Sequence, residues 1–489
     1  MRFAGLLASQ DDPASTYLWP RWLFLRGLGL IFLSAFYSLA LQIHGLIGER
    51  GILPANEYLL NVRAALGFFR GLWYAPTLLW LNAGDWALAI VVAGGIISSL
   101  LLTANLWPRL TTILCTVLFL SCIGILQEFS MYQSDGMLLE AGFISCWFAP
   151  RGVRPRLGAD DPPSRFSLFM LRWEWFRIYF ESGIVKLASG DAHWRDLTAM
   201  DEYYQNGPLP TWLGWYVQHW PHWYHAGTVL LTFGVELVLV WALWLARPFR
   251  VACFVAVTAL QIGIIATANY AFLNYLVLLL GVLLLDDQTL VRVGLRVAGH
   301  EVVKQRPLWA RRVATVTFAI ALYGTVMAFV PDVPLLGWPA RLLAPFRIAN
   351  AYGLFANMTE GRYEIEFQGS RDGKTWIAYP FRYKPQDVRE RPGIYAPYQP
   401  RFDWNLWFAS LGPWQQSTWV VKTQLRLTEG SPSVLRLFRA DPFGGNPPPL
   451  VRTVLWQYWF TDRTTKRATG AWWRRQLVGP FTGAVAVER

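Results

Sequence analysis

Cysteine, lysine and charged residues in general are scarce in this sequence. The chain has 489 residues but only four cysteines and six lysines, and charged residues make up 16% of it. The four cysteines lie inside apolar runs and lack metal-ligand spacing, so neither a disulfide framework nor a cysteine metal site is expected. A phosphate-binding glycine loop and the GxSxG and HExxH motifs are also absent, so nothing indicates a nucleotide-driven enzyme, an α/β-hydrolase or a zinc protease.

Hydrophobic residues, in contrast, make up 54% of the chain, and its mean hydropathy is positive. Several apolar segments reach the roughly 18–20 residues that a helix needs to cross a bilayer. The sequence therefore predicts a polytopic α-helical membrane bundle of about nine spans within residues 1–330. The predicted spans are Trp22–Gln42, Trp86–Thr103, Thr111–Leu126, Gly136–Trp147, Phe166–Lys186, Ala226–Leu245, Val251–Thr267, Ala271–Leu285 and Val313–Val330.

Lysine and arginine are distributed unevenly between the two sides of this predicted bundle. With the N-terminus in the cytoplasm, the cytoplasmic segments hold 15 of these residues and the four short outer loops hold 4. Cytoplasmic loops of membrane proteins carry an excess of lysine and arginine. The charge distribution therefore predicts a cytoplasmic N-terminus and an extracytoplasmic C-terminal region.

Residues 331–489 differ in character, with 21 Lys/Arg against 12 Asp/Glu. Alternating apolar residues indicate strands here, and the dipeptide Asp372-Gly373 is a strong hairpin signal. We expect an extracytoplasmic α+β domain with a β-hairpin and an apolar core of its own. The expected elements are strands at Tyr363–Gly369, Lys374–Tyr383 and Leu450–Thr461, and helices at Arg401–Leu411 and Thr418–Arg439.

The segment Phe166–Asp196 concentrates charge within a predicted span. Charges at membrane depth are costly, so they normally face a bundle interior or a wet cavity and mark function. Glu174, Arg177 and Glu181 share one helix face, and Lys186 lies on a roughly opposite face. Because one lipid-facing stripe cannot avoid both sets, this helix is expected at the centre of the bundle. The predicted intramembrane polar network comprises Arg26, Arg172, Glu174, Arg177 and Glu181.

Lys186 is the only lysine in the first 303 residues. A buried lysine can lose its proton and act as a base, whereas an arginine cannot. A lysine at the end of a membrane helix can equally extend its charged head to the interface. Both interpretations remain open from the sequence.

Two carboxylates, Asp135 and Glu140, accompany the fourth predicted span. A carboxylate in hydrocarbon must take up a proton or find a cationic partner. Glu140 could form an interhelical ion pair that holds the bundle together, or take part in proton chemistry with Lys186 and Asp135. Lys186, Glu140 and Asp135 are therefore the candidate catalytic residues.

His219, His222 and His225 follow one another at three-residue spacing in an outer loop. Such spacing can place imidazoles on one side of a helix for a metal. Pro221 interrupts the turn, however, and tryptophans alternate with the histidines as in interfacial packing. We expect no metal site, with these three histidines as weak candidates.

Several blocks of the sequence are similar to the lipase maturation factor family. They occur in order over nearly the whole chain, at Arg26–Gly29 with Leu46–Pro54, Leu138–Phe143, Ser182–Lys186 with Trp194–Thr198 and Gln205–Pro210, and Tyr352–Phe355 with Arg391–Pro392, Pro397–Tyr398 and Arg401–Ala409. The resemblance implies a multi-pass protein. Eukaryotic members lie in the endoplasmic reticulum membrane and assist folding and assembly of secreted dimeric lipases through lumenal regions. It also marks Trp194, Arg195 and Asp196 as an outer-loop motif.

The membrane half more distantly resembles vitamin K-dependent γ-glutamyl carboxylase. Phe180–Leu187 followed by Trp194 is similar to the segment that carries the catalytic lysine in that family, and Lys186 is the corresponding position. The resemblance implies a base that acts on a reduced quinone. The carboxylase also uses a histidine on a neighbouring span, where this chain has Asp135. An aspartate can share a proton with Lys186 but cannot act as a neutral imidazole donor.

Two functional hypotheses follow from these residues and resemblances. The first is a maturation factor for exported client proteins, such as a lipase, without a cofactor. The second is a membrane enzyme that acts on a lipophilic or quinone-linked substrate beside Lys186, in which case a quinone or lipid would bind. Membrane lipids are expected partners in both cases, and nucleic acid in neither. The arginine bias favours a bacterial cytoplasmic membrane, with the endoplasmic reticulum membrane expected if the chain is eukaryotic.

Overall fold

A computed structural model describes residues 16–296, 308–329 and 337–486. The predicted domain boundary between residues 330 and 331 lies outside these ranges. The first part of the chain is helical. Its main helices are α1 (Leu18–Ile47), α2 (Ala55–Leu66), α3 (Phe68–Tyr74), α4 (Asp85–Thr103), α5 (Pro108–Ile123), α6 (Gln133–Phe148), α7 (Arg165–Ala188), α8 (His222–Phe233), α9 (Arg247–Thr267), α10 (Leu273–Gly281), α11 (Leu308–Phe329) and α12 (Gly337–Leu343).

Four helical stretches in the described residues are long and apolar enough to cross a membrane. They are Leu18–Ile47, Asp85–Thr103, His222–Trp244 and Arg247–Thr267. Shorter apolar helices occupy Pro108–Ile123, Leu273–Leu284 and Arg312–Met327. Helix α7 has 24 residues, or about 36 Å of helix, but its charges set it apart from these apolar spans.

Helix α7 lies inside the bundle, as the positions of its charges predict. Its residues from Met170 to Gly183 are almost all buried, around the full circumference of the helix. Its N-terminus is capped by Ser164, whose Oγ accepts a hydrogen bond from the amide of Ser167 at 3.0 Å. Such a cap satisfies one of the orphan amide groups at a helix start.

The C-terminal region is an α+β unit built on a four-stranded antiparallel sheet of order β2-β1-β3-β4. The turn after β1 is the Asp-Gly turn that the sequence indicates. Asp372 Oδ1 accepts hydrogen bonds from the amides of Lys374 and Thr375, and Gly373 has a φ of +72°. The elements are β1 (Arg362–Ser370), β2 (Ile377–Ala378), α13 (Arg401–Ala409), α14 (Trp419–Thr428), β3 (Leu450–Phe460) and β4 (Trp473–Ala486).

Three details of this region differ from the sequence expectation. The return strand is only two residues long: Lys374 and Thr375 still belong to the turn, and Pro380 has no amide hydrogen to extend the ladder at the other end. The second helix ends at Thr428, where Gly430 adopts a φ of +65°. Strand β4 was not among the predicted strands; it contains Gly479 and Pro480, which an edge strand tolerates.

The apolar side chains of the C-terminal region pack on one another, as Phe367 does on Phe438, and their cluster is continuous with that of the membrane half. Phe402 of α13 packs on Trp419 of α14, with ring centroids 6.2 Å apart. Trp419 in turn packs on Phe129, which precedes α6 in the membrane half, at 5.2 Å. These rings belong to one continuous cluster of buried residues that reaches from α1 to the sheet. The two parts therefore fold against each other.

Candidate functional site

The central feature of the helical bundle is a buried ion pair between α6 and α7. Arg177 Nη2 donates a hydrogen bond to Glu140 Oε1, and both side chains are at most 2% exposed. Glu181, one turn further along α7, lies 3.7 Å from Arg177 Nη1. Glu174 occupies the preceding turn and is also fully buried. Such a cluster depends on the guanidinium, because removing one partner leaves buried charge without compensation.

A segment that follows α12 closes over this ion pair. We call residues Asn350–Met358 the strap. The strap's Asn350 donates from its amide and from Nδ2 to Glu140 Oε2, both at 3.1 Å. Tyr352 donates from its hydroxyl to the same oxygen at 2.9 Å and from its amide to Glu181 Oε2 at 2.7 Å. The two carboxylates are therefore bound by Arg177 on one side and by the strap on the other.

A glycine permits this close approach of the strap. A Cβ atom on Gly136 of α6 would lie 2.7 Å from Asn350 Oδ1, closer than such contacts normally occur. Asn350 Nδ2 also donates to the carbonyl of Gly136 at 3.1 Å. Gly136 thus admits the amide side chain that binds Glu140.

Lys186 lies near the other end of α7 and pairs with a residue that the sequence analysis did not identify. Its Nζ lies 2.9 Å from both Oε1 and Oε2 of Glu236. The ammonium also lies 5.3 Å from the centre of the Trp194 ring, within cation–π range. Lys186 is only 3% exposed. It is therefore enclosed by an acid and an aromatic ring.

The position of Glu236 depends on an irregular helix and on a glycine. Helix α8 continues as a π-helical turn over Gly234–Val238 and then as a 3₁₀ helix. A Cβ atom on Gly183 of α7 would lie 2.7 Å from Leu237 Cδ2 and 3.0 Å from Glu236 Cβ. Because Gly183 has no side chain, the π-helical turn can approach α7 closely enough for Glu236 to reach Lys186.

Asp135 does not lie beside Lys186; its partner belongs to the C-terminal region. The two guanidinium nitrogens Nη1 and Nη2 of Arg401 bind Oδ2 and Oδ1 of Asp135, each at 2.7 Å. Both side chains are fully buried. This bidentate pair, at the start of α6 and of α13, joins the two parts of the chain. No partner in the C-terminal region was assigned to Asp135 from the sequence.

The predicted intramembrane polar network is divided in the structure. Glu174, Arg177 and Glu181 lie together, as the shared helix face predicts. Arg26 instead donates from Nε to the carbonyl of Leu102, near the end of α4, at 2.9 Å. Arg172 donates from Nε to the carbonyl of Leu283 at 2.9 Å and stacks over Tyr17. These two arginines bind backbone carbonyls at helix ends, where a cation is favourable.

The outer-loop motif contributes through Trp194 alone. Its Nε1 donates to the carbonyl of Phe355 in the strap at 3.0 Å, while its ring faces Lys186. Arg195 and Asp196 are exposed. Trp194 therefore links the enclosed lysine to the strap.

The three candidate histidines have separate partners. His219 binds the carbonyls of Trp215 and Thr461 through its two ring nitrogens, and His225 binds the carbonyl of Trp220. His222 pairs with Asp201 at 3.0 Å. No cluster of three or more potential metal ligands occurs in the part of the chain that the structure describes.

The sequence contained signals for some of the missed residues. Glu236 is the only carboxylate in an otherwise apolar segment, and an acid at membrane depth normally marks an interior partner. Tyr352 and Arg401 both lie in the last block that carries the family resemblance. Their contacts connect residues more than 200 positions apart, so spacing alone does not reveal them.

The fold and these buried contacts define an integral membrane protein with a helical transmembrane domain and a closely attached C-terminal α+β domain. Residues 19–292 match the lipase maturation factor transmembrane domain, and residues 348–483 match the lipase maturation factor C-terminal domain. The chain belongs to the lipase maturation factor family.

Relatives of known name match over almost the full length of this chain. Lipase maturation factor 2 of Gallus gallus is 31% identical, over 96% of this chain and 81% of that protein. Lipase maturation factor 2 of Homo sapiens is also 31% identical, over 96% and 83%. Lipase maturation factor 1 of Mus musculus is 31% identical, over 98% and 90%. No solved structure matches the chain.

Proposed function

We propose that this chain is a lipase maturation factor-like membrane protein that assists the folding and maturation of exported proteins such as lipases. The observation that carries the proposal is a similarity that covers 96% of the chain and includes both domains. The matched relatives are lipase maturation factors by name, so an exported client, possibly a lipase, is the proposed partner.

The surroundings of Lys186 support this proposal over catalysis at that residue. An enzyme of the carboxylase-like type needs a base that a lipophilic or quinone-linked substrate can reach. Here the ammonium is paired with both oxygens of Glu236 and packs near Trp194. The other two candidates, Glu140 and Asp135, pair with Arg177 and Arg401 rather than with Lys186. The alternative function is a membrane enzyme of the carboxylase-like type with Lys186 as its base.

Neutralising the Lys186–Glu236 pair separates the two functions. The double variant Lys186→Met/Glu236→Gln removes both charges together, and replacing a complete buried ion pair is often nearly neutral for stability. We expect it to fold and to retain its effect on the specific activity of a lipase secreted by cells that lack their own maturation factors. Lys186→Arg, which keeps the charge, is the matched control. A folded double variant with no activity would favour the enzymatic alternative.

The proposed arrangement has nine spans, a cytoplasmic N-terminus and an extracytoplasmic C-terminal domain from about residue 331. It rests on the 15 to 4 distribution of Lys/Arg between the two sides. In bacteria, this would place the protein in the cytoplasmic membrane. Reporter fusions at Gly158, Gly207 and Arg489 should give a cytoplasmic signal at the first position and extracytoplasmic signals at the other two. A cytoplasmic signal at Arg489 would contradict this arrangement.

A further inference from the structure

The connection between α1 and α4 carries an unusual amount of exposed apolar surface. We call residues 55–81 the apron; it contains α2, α3 and a 3₁₀ turn at Leu78–Trp80. Phe69 is 84% exposed and Leu81 is 92% exposed. Large exposed apolar patches on a protein mark contact with another protein or with a membrane. The other large exposed apolar side chains here are Leu60, Leu66, Phe68, Leu72, Trp73, Tyr74 and Leu78.

The apron is ordered and has a buried side of its own. Leu59 and Val62 of α2 are buried. Trp80 packs edge-on against Phe68 with ring centroids 6.0 Å apart, and a Cβ atom on Gly71 would lie 3.1 Å from its ring. The exposed residues are therefore the outer face of a folded element.

Its contacts fix the apron at one end of the helical bundle. The chain enters it from the end of α1 at Ile47 and leaves it at the start of α4 at Asp85. The Oγ1 atom of Thr77 donates to the carbonyl of Ser121, near the end of α5, at 2.8 Å. The apron therefore lies at the level where α1 and α5 end and α4 begins.

The apron also joins the segment that leads from α11 to the strap. Trp73 Nε1 donates to the carbonyl of Leu342 in α12 at 2.8 Å, and its ring packs on Phe346 at 4.8 Å. Four residues after Phe346, the strap begins to bind Glu140. The apron and the buried carboxylate cluster are thus connected through one short piece of chain.

The composition of the exposed face matches a bilayer interface. Trp73 and Tyr74 are residue types enriched at this depth, and the exposed Arg63 and Arg70 can reach lipid phosphates. The exposed apolar surface continues into the neighbouring helices, at Tyr37 and Leu41 of α1 and at Trp86 and Ile90 of α4.

We propose that the apron is an interfacial anchor whose exposed face inserts into the phospholipid leaflet on the side of the C-terminal domain. The leaflet thereby holds α12 and the strap at a fixed height above α6 and α7. The proposal concerns lipid and does not depend on which client the protein serves.

Site-directed spin labels on the full chain in phosphatidylcholine vesicles test this insertion. We place labels at Phe69→Cys and Leu81→Cys in a background in which alanine replaces the four native cysteines. The control is Lys374→Cys at the exposed hairpin. At the first two positions we expect high access to oxygen and loss of access to a water-soluble nickel complex, with the reverse at the control. Water-like access at Phe69 and Leu81 would overturn the proposal.

A second measurement on the unmodified chain guards against labelled variants that fail to fold. Phosphatidylcholine with a photoactivated diazirine on its acyl chain should attach to peptides that contain residues 68–81. Absence of adducts there, with adducts present on α4, would overturn the proposal. Protection of the apron only after a secreted lipase is added would also overturn it, by assigning this surface to the client.

Discussion

At the scale of single residues, several buried charges in this protein lie in ion pairs, although neither carboxylate oxygen of Glu174 accepts a hydrogen bond from the residues that the structure describes. Arg177 pairs with Glu140 and lies near Glu181. Lys186 pairs with Glu236, and Arg401 pairs with Asp135. Burying a charge is strongly unfavourable unless it is paired and hydrogen-bonded. These pairs offset the cost of burying the charges that they contain.

Asp403 in the C-terminal domain is a buried acid whose environment makes stability depend on pH. Burial raises the pKa of its carboxyl to about 6, although the amides of Tyr383 and Lys384 and the charge of Lys384 oppose this shift. The unfolded chain has an aspartate pKa of ~3.9. The folded state therefore holds this proton more tightly, and its contribution to stability is lost as pH rises from about 4 to 6.

We expect Asp403→Asn to weaken this pH dependence. Asparagine keeps the oxygen that accepts the two amide hydrogen bonds but has no charge to bury. The loss of up to roughly 3 kcal/mol of stability as the pH rises from about 4 to 6 should therefore disappear. Thermal unfolding in detergent at pH 4.5 and 6.5 measures the difference, with the wild-type chain as reference. Equal pH dependence in the two proteins would show that Asp403 is not its source.

At the scale of elements, glycine determines how closely neighbouring segments approach α6 and α7. Gly136 admits Asn350 to Glu140, and Gly183 admits the π-helical turn that carries Glu236. π-Helical turns within α-helices often occur at functional sites. Here the π-helical turn carries the carboxylate that pairs with Lys186 on the neighbouring helix.

Gly183→Ala should separate α7 from the π-helical turn and weaken the Lys186–Glu236 pair. The added methyl group would lie 2.7 Å from Leu237 Cδ2, and overpacking of this kind costs about 1–3 kcal/mol. The matched control is Gly227→Ala in α8, where a Cβ atom meets nothing within 4 Å and alanine favours the helix. Thermal unfolding in detergent should give a lower midpoint for Gly183→Ala than for Gly227→Ala. Equal midpoints would contradict this account of the packing.

At the scale of the whole molecule, the C-terminal domain is joined to the membrane domain by buried polar contacts as well as by apolar packing. Arg362 of β1 is fully buried and donates to the carbonyls of Gln205 and Pro208 in the connection before α8. The hydroxyl of Tyr132 donates to the carbonyl of Arg401 at 3.1 Å. The C-terminal domain is therefore held firmly to the helical bundle.

Arg401→Gln should weaken the attachment of the C-terminal domain to the membrane domain. The substitution leaves Asp135 buried without its cation, which typically costs about 3–5 kcal/mol. Limited proteolysis in detergent should then cleave the chain between the two domains faster than in wild type. Lys422→Arg, at an exposed position of α14, is the control and should digest like wild type. Unchanged cleavage in Arg401→Gln would show that the apolar contacts suffice.

The sequence predicted what depends on local pattern. Long apolar runs fixed the membrane class, the spacing of Glu174, Arg177 and Glu181 predicted a central helix, and Asp372-Gly373 predicted a hairpin. These features follow from helix and strand periodicity or from backbone preferences of a few adjacent residues.

The partners of the buried charges were decided only by the tertiary structure. The sequence identified Lys186, Glu140 and Asp135 as one group of candidates, but packing gave each a different partner: Glu236, Arg177 and Arg401. Oppositely charged groups attract at short range whatever their separation along the chain. Which groups form ion pairs therefore depends on how the helices, the strap and the C-terminal domain pack together. The spacing of residues along the chain does not determine this packing.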